Sequence, residues 1–305
     1  MSSVTGKNKF LFLAWVIMVA TIYLFYVGTS SVDSEDGANQ LAVVPTHWKP
    51  SYINGIAMIA ASAMASDKMV DYSIASIRKY GNWKGPIYVL TDRPDCFSAT
   101  AKEYDVTVVT IPKPESIIEI KSYKPKLMSL LPDEATTVLY VDVDIMVTKD
   151  LAGFLYDTEN LIQTKGSKFD FAMFLDAAGH YVGFCSGCEK WHTGVIVLRR
   201  GMGGECMAEW ERILLSGEYG TDQESIDEAE RVKKCPNAVA LASKHLLFAK
   251  DYLAVALTSS RTFLHMTGAG RLDEQDFFYR LFAVPHFRNS LGKLDHTQFE
   301  GDKTC

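Results

Sequence analysis

The stretch Thr137-Val138-Leu139-Tyr140-Val141-Asp142-Val143-Asp144-Ile145-Met146-Val147 constrains the fold more than any other part of the chain. An apolar run of this kind reads as a strand buried on both faces. It ends in two carboxylates separated by one residue, and side-chain alternation along a strand predicts that Asp142 and Asp144 share a face. Two bare carboxylates side by side repel each other and are costly to bury. A divalent cation removes that cost. In open α/β sheets ligands collect at the carboxyl ends of strands, which is where this pair lies.

The segments around it alternate. Gly55–Ala60 reads as a strand, followed by Val70, Ile74, Ile77 and Tyr80 at helical spacing. Gly85-Pro86 breaks the chain before a strand at Ile87–Leu90, a short helix at Ser98–Glu103 and a strand at Val106–Ile111. A helix over about Lys124–Leu131 leads into the central run. Strands and helices joined by short connections predict parallel βαβ units in a doubly wound α/β sheet. No Gly-x-Gly-x-x-Gly follows the first strand, so a dinucleotide cofactor is disfavoured. Further on, Asp170–Leu175, Gly194–Leu198, Leu246–Phe248 and Thr262–Leu264 read as strands. Met207–Leu215, Thr221–Arg231 and Asp273–Phe282 read as helices.

Residues 10–27 are apolar apart from Thr21, and as a helix they would extend roughly 27 Å, enough for a thin bilayer. Lys7 and Lys9 precede the stretch and acidic residues follow it. The positive-inside rule therefore predicts a cytoplasmic tail at 1–9 and a lumenal bulk. Residues 28–52, rich in Ser, Gly, Asp and Pro, read as a flexible stem. These features predict a single-pass type II membrane protein of the Golgi or ER. Its six cysteines are then free to form disulfides, whose pairing the sequence leaves open. Cys185-Ser-Gly-Cys188 lacks the second ligand pair a zinc site would need. The net charge of −6 argues against a nucleic-acid partner.

From Ile56 to Arg271 the order of short motifs resembles the nucleotide-sugar glycosyltransferases of GT-A fold, especially the family-8 type that includes glycogenin. Lys126-Leu127 precedes the Asp-x-Asp, as in that family. His192-Thr193-Gly194 stands where the family has Asn-Ser-Gly, and Thr221-Asp222-Gln223 where it has Gly-Asp-Gln. His265-Met266-Thr267-Gly268-Ala269-Gly270-Arg271 stands against its His-Phe-x-Gly-x-x-Lys-Pro-Trp.

The resemblance implies a Rossmann-like, mostly parallel sheet with helices on both faces over 53–290, and a tail at 291–305. It implies transfer of a sugar from a nucleotide-diphosphate donor, UDP-linked, to a glycan, protein or lipid acceptor, with retention of configuration. Asp142, Asp144 and His265 would hold Mn2+, with Mg2+ as the alternative; imidazole beside oxygen ligands favours manganese. Lys126, Gly268 and Arg271 would attend the diphosphate and His192 the sugar, with Asp142 shared between ion and donor. Ser62 and Asp92, at the ends of early strands, would meet the nucleoside. Asp222 and Gln223 would face the sugar, and Asp176, at a strand end, would contact sugar or acceptor. Two other readings compete: a non-catalytic lumenal module that binds sugar nucleotides or glycans, and a haloacid-dehalogenase-like phosphatase. Against the phosphatase, Met146 replaces the Thr or Val expected there, and three βα units precede Asp142. An oligomer is compatible with the sequence.

Overall fold

The computed structural model describes residues 44, 48–50, 52–166, 168–176, 190–248, 261–265 and 305. The stretch 10–27 therefore lies outside the described residues, as do Gly268, Arg271, the Asp273–Phe282 helix, Cys185 and Cys188. Among the described residues no helix is long and apolar enough to cross a membrane.

Seven strands form the main sheet in the order β3-β2-β1-β4-β7-β6-β8. They are β1 (Gly55–Ile59), β2 (Ile87–Thr91), β3 (Val106–Thr110), β4 (Thr137–Val141), β6 (Phe171–Asp176), β7 (Lys190–Arg199) and β8 (Ala238–Leu241). Pairing is parallel from β3 through β4 and between β6 and β8; β7 runs antiparallel to both its neighbours. Successive side chains split between two cores. Ile56, Met58, Leu139, Val141, Val195 and Val197 pack with Val70, Ile74 and Ile77 of α2 (Lys68–Lys79) and Phe154 of α5 (Ala152–Thr164). Ala57, Ile59, Val138, Tyr140, Ile196 and Leu198 pack with Leu127 of α4 (Ile117–Leu130) and with α6 (Gly204–Ser216) and α7 (Asp222–Arg231). Burial on both faces explains why these strands read as unbroken apolar runs. Two shorter helices, α1 (Ala63–Ser66) and α3 (Ser98–Tyr104), follow β1 and β2.

A second sheet of three strands has the order β5-β10-β9, formed by β5 (Ile145–Val147), β9 (Leu246–Phe248) and β10 (Phe263–His265). Buried serines of α2 serve β5: Ser73 Oγ donates to the Ile145 carbonyl at 2.6 Å, and Ser76 Oγ accepts from the Val147 N–H at 2.9 Å. β10 pairs antiparallel with β5, placing His265 opposite Ile145.

Two expectations need correction. The central run is two strands, not one: the Asp142 N–H still bonds Gly194 O at 2.8 Å, then the chain turns, with Ile145 N–H bonding Asp142 O at 3.1 Å. Asp142 and Asp144 thus sit in a turn, where strand alternation does not apply. The stretch 28–52 is also not wholly a stem. Trp48 meets Tyr156 edge-on at 5.5 Å, and the Tyr52 N–H bonds Glu159 Oε1 at 2.8 Å.

Disulfides join Cys96 to Cys305 and Cys206 to Cys235. The second ties α6 to the chain just past α7 and closes a span of 29 residues. Chain entropy values such a loop at about 3–4 kcal/mol. Cys206→Ser is therefore expected to lower Tm by ~10 °C, read by thermal unfolding without reductant; an unchanged Tm would show that packing alone holds these helices.

Candidate active site

A cleft of about 490 Å3 opens at the carboxyl ends of β1 and β4. Its polar lining includes Lys121, Lys124, Asp142, Asp144, Thr193, Asp222, Gln223 and His265, with Asp67; Met64, Met69, Ile117 and Ile120 add apolar surface. Five elements deliver these groups apart from Asp67: α4 supplies Lys121 and Lys124. The β4–β5 turn supplies Asp142 and Asp144, β7 supplies Thr193, the start of α7 supplies Asp222 and Gln223, and β10 ends on His265.

Lys124 sits at the centre. Its ammonium bonds Asp222 Oδ2 at 2.7 Å, Asp142 Oδ1 at 3.0 Å and the Thr193 carbonyl at 3.2 Å. Thr193 Oγ1 also donates to Asp222 Oδ2 at 2.7 Å, and Tyr140 Oη donates to Asp142 Oδ1. Burial works against a charged lysine here, but Asp142 and Asp222 outweigh it and hold the ammonium well above its ordinary range. Asp222, despite its own burial, is held ionised below the ordinary carboxylate range by Lys124, Thr193 and Lys121.

The two aspartates of the turn are pushed in opposite directions. Burial, with Asp144 and Asp222 nearby, raises Asp142 even though Lys124 pulls the other way. Asp144 is lowered: burial opposes this, but His265 overrides it. Asp144 Oδ2 lies 3.3 Å from His265 Nε2. Adjacent ligands of an octahedral ion with bonds of roughly 2.1 Å are about 3 Å apart, so this pair fits one edge of such an ion. Among the described residues no group of three His, Cys, Asp or Glu side chains closes on one point; Asp142 is turned toward Lys124 and Tyr140.

The cleft lacks some of the residues the sequence nominated. Lys126 lies outside it and pairs with Glu211 at 2.8 Å. Two residues on a helix span about 200°, so Lys126 and Lys124 face opposite sides of α4. Lys124 and Lys121 are the lysines of the site, and the phase Ile117, Ile120, Lys121, Lys124 was the available signal. That phase was obscured because α4 begins at an N-cap, Ser116, well before Lys124 and runs through Pro125.

His192 is buried and does not line the cleft. Its Nε2 lies 2.8 Å from His265 Nδ1. Burial, then His265 and Lys124, push its imidazole well down, so it is neutral. The two rings are one hydrogen bond apart, so His192 orients the imidazole that faces Asp144. Gly194 is required by close approach: a Cβ there would come within 2.7 Å of the His192 ring and 3.2 Å of Asp142 Oδ2. Ser62 and Asp92 meet each other beside the cleft, the Ser62 N–H bonding Asp92 Oδ1 at 2.7 Å, with Ser62 at φ 55°. Asp176 closes β6, in register with Lys190.

Thr221 caps α7, exchanging hydrogen bonds with Glu224, and Trp210 Nε1 bonds the Asp222 carbonyl at 3.1 Å. The same helix braces β7 through Asp227 Oδ1, which accepts from the Trp191 N–H at 2.9 Å. Burial pushes the Asp227 carboxyl up to about 6. A carboxyl raised on folding costs stability once ionised, so stability falls as pH rises from its unfolded value toward 6. Asp227→Asn, which keeps the acceptor, is expected to add on the order of 1–2 kcal/mol at about pH 7.5 and nothing at about pH 4. Urea unfolding at the two pH values checks this.

The mixed, mostly parallel central sheet fits the GT-A fold of glycosyltransferases. Among solved structures, the galactosyltransferase LgtC, determined with donor and acceptor sugar analogues, is similar at 15% identity over 80% of this chain and 98% of that one, TM-score 0.50. The glycosyltransferase GlyE of Streptococcus pneumoniae is similar at 14% identity, covering 83% of this chain and 66% of that one, TM-score 0.51. No protein-family model matches the chain, and no curated protein sequence does.

Proposed function

We propose that the chain is a metal-dependent glycosyltransferase of the family-8-like type, moving a hexose from a UDP-linked donor to a glycan, protein or lipid acceptor with retention. The observation that carries this reading is the approach of Asp144 to His265, two residues far apart in sequence that share one cleft with Lys124 and Asp222. Asp144 and His265, with Asp142 beside them, would hold Mn2+ or Mg2+, whose remaining positions would fall to the diphosphate and water. Bound there, the ion would supply Lewis-acid charge to the departing phosphate.

The chain's own residues have separate tasks. Lys121 and Lys124 place positive charge where negative charge develops. Lys124 and Thr193 fix Asp222 as an ionised acceptor for sugar hydroxyls. Gln223, beside it, offers an amide to the reacting carbon. In this reading residues 10–27 anchor the protein as a type II membrane protein in the Golgi, with the domain lumenal.

A donor screen with the full chain tests the proposal. Hydrolysis of at least one UDP-sugar is expected with manganese and none after chelation. Binding without turnover of any donor, with any metal, would instead make the protein a sugar-nucleotide-binding module.

A further inference from the structure

Tyr140 reaches the cleft although it is only 1% exposed. It stands two residues before Asp142, and the β4–β7 ladder fixes both: Tyr140 pairs with Ile196, and the Asp142 N–H bonds Gly194 O at 2.8 Å. Side chains two apart on a strand share a face, which brings the Tyr140 hydroxyl onto Asp142 Oδ1 as a donor.

The Asp142 carboxylate therefore meets two donors, and they act differently. Lys124 Nζ lies 3.0 Å from Oδ1 and 3.1 Å from Oδ2. A compact ammonium at nearly equal distances holds the carboxylate by charge without choosing between its oxygens. The aspartate χ2 torsion is broad, so that contact alone leaves the carboxylate plane free to rock. The Tyr140 hydroxyl bonds Oδ1 only, and its ring is packed in the core, so it is a fixed point. Oδ1, with two lone pairs, is then filled by Lys124 and Tyr140, whereas Oδ2 accepts from Lys124 and keeps a lone pair. Oδ2 points to Gly194: a Cβ there would lie 3.2 Å from it and 2.7 Å from the ring of His192, the neighbour of His265. The oxygen kept open is thus the one on the side of the two imidazoles.

We propose that Tyr140 is a positioning residue, whose hydroxyl fixes the Asp142 carboxylate so that Oδ2 stays available to the ion; the role rests on the metal-dependent reading above. Ligating carboxylates are held by such outer partners, whose loss costs roughly 10–100-fold in metal affinity.

The test measures manganese uptake by calorimetry on the full chain in detergent micelles, with no sugar donor present. Tyr140→Phe keeps the ring, and with it the Lys124 ammonium 5.3 Å from the ring centroid, and removes the hydroxyl alone. Manganese is expected to bind this variant at least about tenfold more weakly than the wild type. In an Asp142→Ala background no carboxylate remains to be held, so adding Tyr140→Phe should change the affinity by less than about twofold. A merely structural hydroxyl would lower Tm and leave the affinity where it was. Equal affinity in the wild type and Tyr140→Phe overturns the role, as does the same loss in both backgrounds. Circular dichroism checks that Tyr140→Phe is folded; loss of the fold makes the hydroxyl structural and overturns the role too. Donor turnover, assayed separately, tells the two failures apart. Turnover with an unchanged Tyr140→Phe affinity keeps the cleft's assignment and loses this role, and the tenfold loss without turnover of any UDP-sugar does the reverse. No manganese uptake by the wild type overturns the ion and this role together.

Discussion

Lys124→Met is expected to lower folding stability by about 3–5 kcal/mol and to abolish donor turnover. The ammonium is the shared partner of two buried carboxylates, at 2.7 Å from Asp222 and 3.0 Å from Asp142. Its removal leaves them facing each other, with Lys121 the remaining cation paired to Asp222 among the described residues, at 3.7 Å. Breaking a buried ion pair from one side is costly because the charge left behind has lost both water and partner. In a domain of this size the loss should lower Tm by ~10 °C. A companion variant, Lys124→Met with Asp222→Asn, removes one of the stranded charges. It should recover part of the stability and none of the activity; with Asp222→Asn alone and the wild type, the four proteins form a double-mutant cycle. A Lys124→Met protein melting within about 2 °C of wild type would show that water, not the ammonium, solvates these carboxylates.

Asp144→Asn should behave in the opposite way, with activity lost and fold retained. The Asp144 side chain is 34% exposed and its contact is His265, so an amide of the same shape leaves the packing intact. The expected result is a fall of about 100-fold or more in manganese-dependent donor hydrolysis, weaker manganese uptake by calorimetry and a Tm near that of wild type. Asp142→Asn, by contrast, disturbs Tyr140 and Lys124 and should cost stability as well. If the two substitutions prove indistinguishable, or if Asp144→Asn retains full activity, the ion is not held at this edge.

The contrast between the two aspartates also marks where sequence reading stops. The apolar run before them was legible as a buried strand, because burial on both faces leaves no polar residue to interrupt it. That Asp142 and Asp144 would part company was not legible. It depends on β5 leaving the main sheet to pair with β10, a strand more than a hundred residues away. Asp222, Gln223 and His265, which the resemblance singled out, line the cleft, whereas Lys126 stands on another face of its helix. The error is one of phase: a proline inside α4 hid the start of the helix, and with it the side that Lys121 and Lys124 share. His192 was noticed as a departure from the family motif, but its 2.8 Å approach to His265 was not legible, because the two residues lie on strands far apart in sequence.

The bond between Cys96 and Cys305 spans 209 positions, from just beyond β2 to a residue whose carbonyl accepts from Arg93 Nη2 at 2.8 Å. A protease that cuts once anywhere inside that span produces a nick, not two fragments. Such a chain would run as a single band on a non-reducing gel and separate only when thiol is added. Each cleaved piece would stay tethered to the other, so a protein clipped once under oxidising conditions keeps the means to reseat itself.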